Sequence, residues 1–256
     1  MAFNSNRMRN RRNAPRRQRS ARKMLVRAFR GASYSRSAIR GSRIMSTTSG
    51  RPEIKLIDGL AATPGGNNLA LSTTGVITPV NLIASGSGFN NRIGRKIEMQ
   101  SLHVTGLITQ TGTATTQNDY ARICVVYDRQ TNGAVPAYTD IFQNYSATSV
   151  TSSTAFSGIN PDERERFVIL ADVRLVLPAT PVSGINGTTD GLSTTFNINR
   201  FIKLNNLSVM YKGDSAVPVI GDVATGALYI TTIGSFAPAA QGYATILSWR
   251  LRYKDT

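Results

Sequence analysis

The sequence predicts an all-β body, a two-sheet sandwich of the jelly-roll type, preceded by a basic arm. Three observations carry this. Short apolar stretches alternate with a period of two and are separated by clusters of Asn, Gly, Ser, Thr and Pro. No stretch of the body sustains a helical period. The charge is also segregated: residues 1–52 hold fifteen Arg or Lys and no carboxylate, the first being Glu53. The formal net charge of the whole chain is +16, from 30 basic and 14 acidic residues, so residues 53–256 sum to about +1. A polycation joined to a near-neutral body reads as an arm that grips a polyanion and a body with another task.

The arm comes first. Met1–Ser49 is rich in Arg, Ser, Asn and Gly and poor in large apolar residues. It cannot bury enough surface to offset the entropy of ordering, so it is expected to be disordered in isolation. Arginine dominates lysine, and guanidinium favours phosphate through paired hydrogen bonds and stacks on bases. The expected nucleic-acid-binding residues are Arg7, Arg9, Arg11, Arg12, Arg16, Arg17, Arg19, Arg22, Lys23, Arg27, Arg30, Arg36, Arg40 and Arg43. The denser set Arg9, Arg11, Arg12, Arg16, Arg17, Arg19, Arg22 and Lys23 also reads as a nuclear import signal. Nothing in the arm reads base sequence, since phosphate contacts position without specifying. Ala21, Met24, Leu25 and Ala28 fall at helical spacing. Three readings of that segment stand open: a helix formed on a partner, an unstructured tail, or a membrane-surface helix.

The body, 53–256, is expected to hold eight strands: Glu53–Leu60, Val76–Ile83, Lys96–Thr109, Tyr120–Tyr127, Arg166–Leu177, Phe201–Met210, Ala227–Ile233 and Tyr243–Tyr253. The last alternates most clearly, Tyr243, Thr245, Leu247, Trp249, Leu251 and Tyr253 against Ala244, Ile246, Ser248, Arg250 and Arg252. One face is therefore buried and the other ends in positive charge. Phe167, Ile169, Ala171, Val173, Leu175 and Leu177 are expected to share a face. In Lys96–Thr109 the apolar phase slips from Ile97 and Met99 to Leu102 and Val104, which predicts a β-bulge near Ser101. Long polar connections follow, Gln110–Asp119 and Thr180–Thr195, and Thr139–Tyr145 is read as one short helix. Ser146–Ser157 is a candidate contact loop for a receptor or vector by exposure alone.

Chemistry is sparse. The one histidine, His103, lies inside a strand with no Cys or carboxylate at ligand spacing, so it reads as a core or interface residue. The single Cys124 sits in an apolar strand and reads as a small buried hydrophobe; it allows no intrachain disulfide. A Ser-His-Asp set is not eliminated by composition, but no Gly-x-Ser-x-Gly elbow occurs. Gly86, Gly88 and Gly94 match no phosphate-loop spacing and are read as a loop leading into a strand. Asp162, Glu163, Arg164, Glu165 and Arg166 form a mixed-charge turn, either solvated or an inter-subunit ion-pair patch. No catalytic residue, metal ligand or cofactor is assigned. The N-terminus lacks the apolar run of a signal peptide, and no window suits a membrane span, so no membrane partner is expected. The glycosylation triplets at Asn144, Asn186 and Asn206 are read as chance.

Four segments, in order, resemble capsid proteins of small circular single-stranded DNA viruses, the geminivirus-like group in particular. They are Arg92-Ile-Gly-Arg-Lys-Ile-Glu-Met-Gln-Ser-Leu-His-Val-Thr-Gly106, Val126-Tyr-Asp-Arg-Gln-Thr-Asn-Gly133, Arg164-Glu-Arg-Phe-Val-Ile-Leu170 and Tyr243-Ala-Thr-Ile-Leu-Ser-Trp-Arg-Leu-Arg-Tyr-Lys-Asp255. The resemblance implies an eight-stranded viral jelly roll of two four-stranded antiparallel sheets. It also implies a closed icosahedral shell, T=1 with about sixty copies in the simplest case, and arms turned inward onto the genome. Sixty such arms would neutralise on the order of 900 phosphates. The implied partners are further copies of the chain, a single-stranded DNA genome and host nuclear import factors; the implied locations are the virion and the host nucleus. Satellite viruses with RNA genomes share the pattern, so RNA stands beside DNA as cargo. The arm carries no Cys/His set of the zinc-finger kind found in some plant members. Two other classes stay open at the level of sequence: a non-viral nucleic-acid-binding β-domain with a basic tail, and a jelly-roll enzyme.

Overall fold

A computed structural model describes residues 53–62, 71–110, 118–143, 155–179, 195–235 and 243–256. Nine strands form among them: β1 (Ile54–Ala62), β2 (Val76–Pro79), β3 (Lys96–Gln110), β4 (Asp119–Asp128), β5 (Phe167–Leu177), β6 (Thr195–Tyr211), β7 (Val223–Thr225), β8 (Ala227–Gly234) and β9 (Tyr243–Asp255). One short helix, α1 (Tyr138–Ile141), follows β4. The strands make two antiparallel sheets, β1-β9-β3-β6-β7 and β2-β8-β4-β5.

The pairings are nested. β1 pairs with β9, β2 with β8, β3 with β6, and β4 with β5. The chain is thus one long hairpin, turned at the β4–β5 connection and wound up. Further pairs, β3 with β9 and β4 with β8, complete the two sheets. This winding is the jelly roll that the eight expected strands suggested.

The main core lies between the sheets. Ile97, Met99, Leu102, Val104 and Ile108 from β3 meet Leu247, Trp249 and Leu251 from β9, with Ile123, Val125, Leu228 and Ile230 from the smaller sheet. A second cluster lies on the other side of the smaller sheet, where Tyr138, Ile141, Phe142 and Ala155 cover Cys124, Val126, Phe167 and Ile233. The smaller sheet is therefore covered on both faces. That explains why Ile123-Cys-Val-Val-Tyr127 and Ala227-Leu-Tyr-Ile230 are apolar without alternation.

The sequence expectations are corrected at five places. The sheets hold five and four strands rather than four and four, because the three-residue β7 pairs with the end of β6. Three residues are too few to show an alternation, and Gly226 behind them takes a left-handed φ of +84°. β2 stops at Pro79, not Ile83, with one further backbone bond from Val80 N to Leu228 O at 2.8 Å. The neighbouring Asn81 side chain replaces backbone pairing: its Nδ2 donates to Gly226 O at 2.9 Å, and Leu228 N donates to its Oδ1 at 2.9 Å. β6 starts at Thr195, the last residue of the expected loop and six residues ahead of the expected strand, with Phe196 and Ile198 packed into the main core. In β5 the register shifts between Val125 and Val126 of its partner, leaving Leu170 as a bulge. Phe167 and Ile169 consequently join the outer cluster while Ala171, Val173, Leu175 and Leu177 join the main core. The helix is four residues long and stops at Ile141, short of the Tyr145 that bounds its expected range.

The bulge near Ser101 is present. The register of β3 slips between Met99 and Ser101 against both neighbours. Opposite it, Asn205 and Asn206 take left-handed φ of 49° and 64°, a conformation asparagine tolerates better than most residues.

Candidate functional site

All fourteen arm residues assigned to nucleic acid, Arg7 through Arg43, and the import set within them lie outside the described residues, as do Asn144 and Asn186. The described residues begin at Glu53, and the start of β1 is held to the body by buried charge. Lys55, only 3% exposed, donates to Asn91 O at 2.8 Å and pairs with Asp255 at 2.7 Å. The neighbouring Arg92 is fully buried. Its guanidinium donates to Ile83 O at 3.2 Å, Gly94 O at 2.7 Å and Gly213 O, and lies 4.1 Å from the Tyr211 ring centre. The glycine-rich loop is thus a wrap around one arginine that leads into β3, as its spacing suggested.

The four motifs turn out to be joints. Arg166 of the mixed-charge turn donates twice to Asp128, at 3.0 and 2.9 Å, and Asp128 is fully buried. This pair ties the second motif to the third, so Arg166 stabilises the subunit itself. Gly106 closes the first motif because β9 crosses it so closely that a side chain there would meet Ile246 O. Asp255, at the end of the fourth, holds Lys55 and also accepts from Ile93 N at 3.3 Å.

A second buried charge sits behind the smaller sheet. Arg122 donates to both Asp172 oxygens at 2.9 and 2.8 Å and to Ser157 O at 2.5 Å, and stacks over Phe142 at 4.2 Å. Burial alone would push the Asp172 carboxyl up, but the hydrogen bonds and charge of Arg122, with hydrogen bonds from Arg174 and Cys124, outweigh it and hold it below its ordinary range. Cys124 donates to Asp172 at 3.3 Å. Desolvation pushes its thiol up to about 12, so it stays protonated at neutral pH and is a packing residue rather than a nucleophile.

The outer face of the five-stranded sheet is different in kind. Register places Asp58, Arg250, His103 and Phe201 in one row across it. The next row toward Ile54 holds Leu56, Arg252, Ser101 and Lys203, and the row after it Ile54, Lys254, Glu98 and Ser208. In the opposite direction the rows become neutral and apolar: Leu60, Ser248, Thr105 and Asn199, then Ala62, Ile246, Leu107 and Asn197. With Lys96 beyond Glu98, five basic and two acidic residues crowd the end at which the chain enters β1. His103 belongs to this face and not to the core.

A groove of about 410 Å³ opens there, lined by Asp58, Gly59, Leu60, His103, Thr105, Ser248, Trp249 and Arg250. It gathers the one histidine with a serine and an aspartate, yet each is committed elsewhere. Asp58 takes both Arg250 hydrogen bonds, at 2.7 and 2.8 Å. Those bonds hold its carboxyl below the ordinary range. His103 Nε2 shares a hydrogen with Asn199 at 2.8 Å, and Ser248 with Thr105 at 2.8 Å. The arrangement is a polar surface and not a proton relay. Among the described residues no three His, Cys, Asp or Glu converge to hold a metal ion.

Sequence reasoning found the positive face of β9, but not the joints at Lys55, Arg92 and Arg122. For Lys55 and Arg122 a charged residue inside an apolar run was the available signal, since such side chains are buried only when partnered; Arg92, in a loop of Gly and Asn, carried none.

Comparisons with known proteins complete the picture. No curated protein matches the sequence. Among solved structures, chains from desmodium yellow mottle tymovirus are 11% identical, covering 81% of this chain and 90% of that one, with a TM-score of 0.32. VP1 of the trichodysplasia spinulosa-associated polyomavirus is 13% identical over 80% and 97%, with a TM-score of 0.25. A chain of the Israeli acute paralysis virus particle is 10% identical over 81% and 70%, also at 0.25. The model of the geminivirus coat protein/nuclear export factor BR1 family matches residues 4–256. A match that runs from inside the arm to the last residue carries the arm and the jelly roll together, and by it this chain belongs to the geminivirus coat protein/nuclear export factor BR1 family.

Proposed function

We propose that this coat protein self-assembles through its jelly-roll body, 53–256, into a closed icosahedral shell, T=1 with about sixty copies. In this reading the arm, 1–52, packages single-stranded DNA. The observation that carries it is the charge segregation within a coat-family chain: fifteen cationic residues precede the first carboxylate, and the body is close to neutral. Arg7 to Arg43 neutralise phosphate without reading sequence, and the Arg9–Lys23 cluster brings the subunit to the host nucleus through import factors. The role is structural and not enzymatic, in keeping with the family.

Electron microscopy of the purified protein, with its absorbance ratio at 260 and 280 nm, tests this. Uniform shells with a high ratio support it, and nuclease digestion of the extracted contents names the polymer. A small nucleic-acid-bound species that forms no shells across salt and pH would favour the non-viral β-domain instead. A fluorescent fusion of residues 1–52 that stayed cytoplasmic would remove the import role.

A further inference from the structure

We propose that the outer face of the five-stranded sheet is a track for single-stranded nucleic acid, where Lys203 and Arg252 hold phosphate and Phe201 stacks on a base. The inference rests on the packaging role above and extends it from the arm to the folded body.

Three observations converge. The first is an asymmetry between the sheets. The smaller sheet's outer face is covered by α1 and the segment around Ala155, whereas Lys203, Phe201, Arg250 and Arg252 on the larger sheet are exposed. The second is charge. The body as a whole is about +1, yet this face carries five basic residues against Asp58 and Glu98, and Asp58 is already matched by Arg250. The excess lies toward the Ile54 end of β1, where Arg252, Lys203, Lys254 and Lys96 follow in successive rows and give that end a local positive potential. The third is Phe201. The residue is 59% exposed in mid-strand, next to the row that holds Arg252 and Lys203, with the His103 ring centre 6.2 Å away. An aromatic platform beside cations is the recurring pattern of sequence-independent single-strand binding. Successive rows are about 7 Å apart along a strand, a step comparable to one nucleotide of an extended chain. Two copies meeting symmetrically through this face would set like charge against like, which disfavours a second subunit as its occupant.

The test uses the full chain and two fluorescent probes, a 20-residue oligothymidylate and a 20-residue oligouridylate, with affinity measured against salt concentration. Lys203→Gln/Arg252→Gln should bind more weakly and lower the magnitude of the log–log salt slope by about 1.4, the value for two lost contacts to a single strand. Phe201→Ala should weaken binding about tenfold at unchanged slope, because stacking releases no counterions. Arg129→Ala/Arg164→Ala removes two exposed charges from the β4–β5 turn and should change neither quantity by as much. All sites are exposed, and thermal unfolding at the wild-type temperature confirms that the variants fold. If face and control variants behave alike, the track does not exist although arm-driven binding stands. If the face variants bind the probes normally but form no shells, the face is a contact between copies and the inference is overturned. If the wild type binds neither probe, the packaging role itself fails. Equal loss on both probes supports the track and identifies its ligand as single-stranded nucleic acid of either sugar.

Discussion

Arg122 shows what a charge needs in order to live inside this fold. Its side chain is 2% exposed, and Asp172, Ser157 and Phe142 together answer every direction of the guanidinium. Replacing such a pair whole by apolar residues can be neutral, but removing one partner strands a buried charge. Asp172→Asn should therefore cost about 3 kcal/mol in chemical denaturation. The carboxyl of Asp172 is held low, so its stabilising contribution is present above the ordinary carboxylate range and is lost as pH falls through the depressed value. Asp119 runs the other way. Burial pushes its carboxyl up, against hydrogen bonds from Ser235 and Tyr120, and its Oδ2 is buried without a partner. Its contribution is full below the unfolded value and is lost as pH rises through the folded one. Asp119→Asn keeps an acceptor for Tyr120 N and Ser235 N, so it should be more stable than the wild type at pH 7. That advantage should shrink toward pH 4 in a series of thermal melts; a constant difference would contradict the assignment.

At the scale of elements, the strands were legible where one face is buried and the other wet. β9 and β3 alternate, and the bulge in β3 could be placed from its phase slip alone. Elements defined by a neighbour were not legible. β2 reads as running to Ile83, because Val80, Leu82 and Ile83 are as apolar as a strand; only the partner strand shows that Asn81 does the pairing with its side chain. Asn81→Ala would leave Gly226 O and Leu228 N buried without partners, at about 1–3 kcal/mol each. The expected loss is roughly 2–6 kcal/mol in total, together with faster amide exchange at Leu228 measured by NMR. Unchanged exchange there would mean that the backbone can close the gap by itself. The bulge in β5 was hidden for a related reason. Every residue from Phe167 to Ala171, the bulged Leu170 included, is apolar, because both faces of that sheet are covered, so no change of phase marks the bulge.

At the scale of the molecule, the design is a near-neutral wound hairpin with a cationic extension. Deleting residues 1–43 should leave the melting temperature of the body within a few degrees, because the described core uses nothing before Lys55. The same deletion should bring the 260/280 absorbance ratio of the particles down to that of protein alone. Particles that still carried normal amounts of nucleic acid would remove the arm's assigned role. Partial retention, lost on adding the Lys203 and Arg252 substitutions, is the outcome the open sheet face predicts.

From the sequence by itself came the all-β class, the eight principal strands and the separation of an arginine-rich arm from a neutral body. These are properties of composition and of the period of two, and each is local to a stretch of chain. Tertiary structure decided which strands are neighbours, which sheet is covered on both sides, and how Asp128 comes to Arg166 and Lys55 to Asp255. Those facts depend on contacts between residues up to 200 positions apart, and no local pattern encodes them. The open face follows the same rule. Arg252, Lys203 and Phe201 lie on two strands that the chain reaches far apart in its course, and become one surface only because both strands pair with β3.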